Sequence, residues 1–304
     1  MVPESVRHLR VLLLVSFFVV CGAARAAELP VVYDFDVGLA ASVAAPGSAP
    51  PGADDWSCVP SAAHPRPVVL IHGTVENMRD NFNALSPLLK NSGYCVYALN
   101  YGGQYGQSVI GATARVADGA RELAPFVDRV LAATGASKVD IVGHSQGGML
   151  PRYYLKNLDG AAKVAHLVGL TPSNHGTTFD GLLTLAAAFP GGSQVVGTAC
   201  PACDDQTAGS PFLEDLHAGG DTVPGVSYTV ITTRYDEVVT PYTSAFLTGP
   251  DTTNIVVQDQ CALDAAEHLA ISYDHIALQE VLNALDPATA RRAPCTPVLP
   301  ERGG

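Results

Sequence analysis

Two kinds of apolar pattern alternate along most of the chain. Compact apolar runs at 67–71, 94–100, 138–142 and 164–170 are short and rich in β-branched or aromatic residues, and they predict strands. Between them, at 77–90, 113–133 and 147–158, apolar residues return every three or four positions, and these stretches predict helices. Two further strands are expected at 227–232 and 254–258, followed by a last helix at 272–284 with Ser272 or Asp274 as its cap. Strand and helix in regular alternation predict an α/β fold: a mostly parallel sheet with helices on both faces. The alternation breaks near 175–225, where an apolar stretch at 182–189 gives way to Gly, Cys and Pro-rich sequence. An insertion over one edge of the sheet is expected there. No internal repeat is present.

Ahead of this region the pattern is of another kind. Arg7, His8 and Arg10 precede an apolar run at 11–20, and Ala24-Arg25-Ala26 follows as a small-residue cleavage site, so 1–26 reads as a secretory signal peptide. The run is about half the length that a membrane-spanning helix needs. Cys21 would suit a lipid anchor, but Val20 precedes it where a small residue is required. Residues 27–64 read as an N-terminal extended arm, because 44–53 is Pro, Gly and Ala-rich and offers little apolar surface to bury. The remainder, 65–304, is long enough to form one substantial core.

Composition narrows the setting. Without 1–26 the chain carries 14 Lys and Arg against 28 Asp and Glu. An acidic surface of this kind repels phosphate backbones and anionic membranes, which argues against nucleic acid as a partner. Six cysteines then remain, an even number in a chain expected to be exported, so disulfides are the default reading. Spacing suggests Cys58 with Cys95, Cys200 with Cys203 and Cys261 with Cys295, although fifteen connectivities are open to six cysteines.

The chemistry concentrates at Gly143-His144-Ser145-Gln146-Gly147, which follows a predicted strand and opens a predicted helix. A serine at such a turn sits in a strained backbone, and flanking glycines let strand and helix approach closely. Its hydroxyl becomes a nucleophile only when a base removes the proton and a third group orients that base. In this arrangement the chain order is Ser, then an acid, then His. Asp236 follows the strand at 227–232 and fits the acid; Glu237 beside it points elsewhere in an extended loop. His268 lies before the last predicted helix and His275 inside it, so position favours His268 as the base over His275. Two backbone N–H donors should hold the developing oxyanion, each contributing about 3 kcal/mol. Gln146, next after the nucleophile, supplies one, and Thr74, in the His72-Gly73-Thr74 turn after the first core strand, supplies the other. This chemistry calls for no metal and no organic cofactor, and no dense acidic loop suggests calcium. An ordinary imidazole as the base would lose activity below about pH 6.

These motifs together resemble the class 2 family of secreted bacterial triacylglycerol lipases, within the α/β-hydrolase superfamily. The resemblance runs from Val68 to Asp286 and is densest at 139–148, with 153–160, Tyr228-Thr229-Val230 leading to Asp236, and His268-Leu269-Ala270-Ile271-Ser272-Tyr273. It implies a secreted ester hydrolase working through an acyl-enzyme, with Ser145, Asp236 and His268 as the triad and Thr74 and Gln146 as oxyanion donors. It also implies a lipid or other ester substrate, transient contact with a lipid interface, and a monomer. The chain departs from the smallest family members at 174–226, which is longer here. Short-chain or polyester esterase and non-catalytic lipid-binding protein are the competing readings.

Overall fold

The computed structural model describes residues 1, 27–103 and 109–304, so the expected signal peptide falls almost wholly outside the described residues. Helix α1 (Phe35–Ala44) leads, and β1 (Val68–Ile71) begins the sheet. Then come α2 (Met78–Asn81), α3 (Leu85–Asn91), β2 (Val96–Leu99), α4 (Val116–Thr134), β3 (Val139–His144), α5 (Gln146–Asn157) and β4 (Val164–Leu170). Four helices follow in place of the irregular stretch: α6 (Phe179–Ala187), α7 (Gly192–Thr198), α8 (Pro201–Gln206) and α9 (Pro211–His217). The chain then returns to the sheet with β5 (Ser227–Thr232) and β6 (Thr252–Val256), and ends with α10 (Val257–Gln260) and α11 (His275–Leu285).

Among the described residues the six strands lie in the order β2-β1-β3-β4-β5-β6, with every pairing parallel. The α/β expectation therefore holds. Every residue of β1 and β3 is buried, as it must be when helices cover both faces of a parallel sheet. Strands β4 and β5 match the predicted bounds. The predicted helix at 77–90 is two helices separated by residues 82–84. The strand expected at 254–258 sits two residues earlier, and Val257 and Gln258 begin α10 instead.

The segment at 27–64 is not extended throughout. Asp34 caps α1 by accepting from the N–H groups of Asp36 and Val37. Gly38 lets this helix press against Tyr273: a Cβ there would lie 1.8 Å from the tyrosine hydroxyl. Ser42 on the same helix is fully buried, donating to Asp80 Oδ2 at 3.1 Å and accepting from Asn77 Nδ2 at 2.7 Å. Farther on, Ala53 forms a parallel bridge with Val96, so the arm lies along the outer side of β2. Disulfides join Cys58 to Cys95, Cys200 to Cys203 and Cys261 to Cys295, the pairing that spacing suggested.

The insertion near 175–225 carries the helices α6 to α9. Its α8 reaches the carboxyl ends of the central strands, where Gln206 Nε2 donates to Thr74 Oγ1 at 2.7 Å and Ser173 Oγ donates to Gln206 Oε1 at 2.9 Å. Arg115 and Asp205, paired at 2.6 Å, tie α8 to the start of α4. No described helix is long and apolar enough to cross a membrane.

Candidate active site

Ser145 stands between β3 and α5 with φ 54° and ψ −122°, a conformation that an L side chain adopts only under constraint. The constraint comes from both flanks. A Cβ on Gly143 would meet Gly147 O at 1.9 Å, and one on Gly147 would meet Ile71 O at 2.0 Å, so neither position tolerates a larger residue. The Ser145 N–H donates to Leu170 O at 2.9 Å, which fixes the turn to β4. Pro151 lies inside α5 and leaves the helix unbroken, since α5 runs on to Asn157.

Around this turn the structure gathers the other expected residues. The Gln146 N–H opens α5, and the Thr74 N–H sits in the turn after β1; neither has a hydrogen-bond partner among the described residues. Val75, β-branched and at φ 61°, holds that turn, and its N–H donates to Gly111 O at 3.0 Å. The two donor residues are also linked by side chains: Gln146 Nε2 donates to Thr74 Oγ1 at 2.9 Å, and Gln146 Oε1 accepts from Tyr101 Oη at 3.0 Å. Gln206 completes the link from the insertion. Nothing in its local sequence marked it, since a lone glutamine beside Cys203 carries no pattern.

Asp236 and His268 meet. His268 Nδ1 lies 3.0 Å and 3.1 Å from the two Asp236 carboxylate oxygens, and both residues are buried. Asp236 Oδ1 also accepts from the N–H groups of Val238 at 2.9 Å and Val239 at 2.7 Å, which orients the carboxylate before it meets the ring. His268 Nε2 is buried and carries no hydrogen bond among the described residues. Its ring centroid is 4.9 Å from that of His144, the residue before Ser145. Burial works against a charge on His268, but the carboxylates of Asp236, Glu237 and Glu76 outweigh it and raise the pKa above the ordinary imidazole value.

Glu237 does not point away, as an extended loop would have it. Its Oε2 faces the His268 N–H at 3.5 Å, and burial, then the nearby Glu267, lifts its carboxyl to about 7. His275 lies elsewhere: its ring bonds the carbonyls of Gly304 and Pro294, at 2.5 Å and 2.9 Å. Ser145 itself is only 1% exposed and His268 is fully buried.

One further cluster has the residue types of a metal site. Ligand atoms of His175, His217 and Asp221 lie within 4.8 Å of one another. Asp221 is already filled, however. Its Oδ1 meets Arg152 Nη2 at 3.1 Å and His175 Nε2 at 3.2 Å, while its Oδ2 accepts from Thr248 N at 2.9 Å and Oγ1 at 2.8 Å. Burial opposes the Asp221 charge, but these bonds and the Arg152 cation hold the carboxyl below its usual range. The buried guanidinium of Arg152 thus occupies the place of a cation there.

A parallel sheet with a strained serine at the strand-to-helix turn, over the carboxyl ends of its central strands, defines the α/β-hydrolase fold class. Within that class, the chain belongs to the class 2 lipase family, whose model matches residues 65–280. Over 97 residues it is 39% identical to a triacylglycerol lipase of Pseudarthrobacter phenanthrenivorans, a match covering 30% of this chain and 28% of that protein. A triacylglycerol lipase of Burkholderia plantarii is 39% identical over 97 residues, covering 30% of this chain and 25% of the relative. The matched part is thus about a quarter of each relative's length. In fold, the chain resembles lipase B of Aspergillus fumigatus, with a TM-score of 0.61 and 21% identity over 81% of this chain and 57% of that one.

Proposed function

We propose that this protein is an exported serine hydrolase that cleaves carboxylic esters, with triacylglycerols as its preferred substrates. The observation that carries this reading is the state of His268: Nδ1 is held by Asp236, while buried Nε2 is left without a partner beside the Ser145 turn. That arrangement suits a base waiting for a hydroxyl proton. In the reaction His268 takes the Ser145 proton as Oγ attacks the ester carbonyl. The Thr74 and Gln146 N–H groups then receive the oxyanion, and His268 returns the proton to the leaving alcohol. Water next attacks the acyl-enzyme by the same route, releasing the acid and freeing Ser145. Asp236 orients the ring and stabilises its cation.

Membership of the class 2 lipase family and the likeness to two triacylglycerol lipases support the substrate class. Three disulfides support export to an oxidising compartment. The covered serine favours a substrate met at an interface over a small soluble ester, because a covering element that moves is what a lipid surface can open.

The test is hydrolysis of butyrate, octanoate and long-chain glycerides by the wild type, Ser145→Ala, His268→Ala and His275→Ala. We expect a phosphonate to label the wild type once per chain, Ser145→Ala and His268→Ala to lose at least about a thousandfold in kcat, and His275→Ala to keep most of it. A Ser145→Ala protein with normal turnover would sink the reading. A rate that falls steadily with acyl length would replace the lipase by a short-chain esterase.

A further inference from the structure

The proposed triad and oxyanion donors leave unexplained a pair of fully buried ionisable side chains beneath them, Glu76 and His144. Glu76 Oε2 accepts from the Gly73 N–H at 2.7 Å and lies 2.9 Å from His144 Nδ1. On the other side of the ring, His144 Nε2 is 2.8 Å from the His268 carbonyl oxygen. A carbonyl only accepts, so Nε2 carries a hydrogen, and the carboxylate oxygen takes the hydrogen of Nδ1. Asn81 Nδ2 also lies 3.0 Å from Nδ1 while Asn81 Oδ1 has no partner; turning that amide over lets Oδ1 accept from the same N–H.

The result is one continuous path. It runs from the Gly73 N–H through Glu76 and the His144 ring to the His268 backbone, so it joins the turn carrying Thr74 to the loop carrying His268. Space beside it is closed as well: a Cβ on Gly73 would lie 2.3 Å from Glu76 Oε2 and 3.0 Å from Ser145 Cβ. Two loops far apart in sequence are held at a set separation by side chains whose hydrogen bonds go to neither Ser145 nor the His268 ring.

We infer that Glu76 and His144 form a strut that fixes the oxyanion turn against the His268 loop, which makes Glu76 a positioning residue for the reaction. The inference rests on the serine hydrolase reading above. Its energy lies in geometry: misplacing reacting groups by about 1 Å costs on the order of a hundredfold in rate.

The experiment compares the wild type, Glu76→Gln, His144→Phe and the double variant in the full chain, with kcat and KM measured on p-nitrophenyl butyrate. Active sites are counted by stoichiometric phosphonate labelling, so a folding defect lowers the count and leaves kcat per site untouched. Each single variant is expected to lose about 10- to 100-fold in kcat, with KM changed by less than about threefold. The double variant should be no worse than the worse single, because cutting a strut twice adds nothing. Unchanged kcat per site in either single variant overturns the strut, and so does a double variant whose loss is the product of the two. If Glu76→Gln gives no folded protein, His144→Phe is judged alone by the same kcat criterion. A strut failure with Ser145→Ala inert leaves the hydrolase reading standing, whereas an active Ser145→Ala removes both.

Discussion

At the scale of single residues, the electrostatics around His268 have a kinetic consequence. Desolvation would push its pKa down, but Asp236, Glu237 and Glu76 all face the ring with negative charge and raise it, while the nearby His144 ring adds no anion. In the proposed role His268 works only when neutral, so kcat/KM should rise as pH increases through this pKa. The acid limb should therefore lie above about pH 6.5, where an unperturbed ring would put it. Glu237→Gln removes one of the raising charges and should move the limb to lower pH. Since Glu237 itself titrates at about 7, the shift should be largest above that pH. Matched pH profiles of the two proteins check this, and coincident limbs would show that Glu237 does not act on the ring. That Ser145 would stand at the strand-to-helix turn and His268 beside Asp236 was readable from the chain order Ser, acid, His. Gln206 and Glu76 were not, because only the folded chain brings them to Thr74 and His144.

At the scale of elements, legibility followed the strength of the local pattern. Strands β4 and β5, short and rich in β-branched or aromatic residues, were predicted to the residue, while α1 was missed. The sequence of α1 is rich in Ala and Val with no polar face to mark a period, and its helix is secured by the Asp34 cap and the Gly38 contact with Tyr273. The contacts of the insertion were not legible for a different reason: its anchors, Arg115 to Asp205 and Gln206 to Thr74, span long sequence separations. It holds Leu182, Leu185 and Phe189 buried, with Phe179 43% exposed at the start of α6. If α6 acts as a cover in the proposed reaction, an apolar interface would compete for these side chains. Activity on emulsified triolein should accordingly exceed that on the same lipid below its solubility limit by at least about tenfold, measured by pH-stat. Equal specific activity on both sides of that limit would mean that no such cover moves.

At the scale of the whole molecule, one disulfide binds a peripheral piece to the sheet. Cys58 to Cys95 closes a loop across 37 residues and fastens the arm beside β2. By the chain-entropy argument, such a closure stabilises the fold by about 2–4 kcal/mol. Replacing both cysteines by serine should reduce the unfolding free energy by that amount in urea titrations, with little change in kcat, since neither sulfur approaches Ser145. An unaltered midpoint would show that the arm already holds without the crosslink.

The bridge of Ala53 to Val96 has a colloidal consequence. An uncovered outer strand offers ladder groups to which a second molecule can add, and this is how sheet proteins seed amyloid-like growth. Asp54 donates its N–H to Val96 O at 2.9 Å and accepts the Ala98 N–H at 3.0 Å, so the β2 side is already taken up. Any fibre built from intact molecules would have to start from β6, whose Thr253 and Asn254 are exposed, and clipping the arm would open a second route to fibrillation.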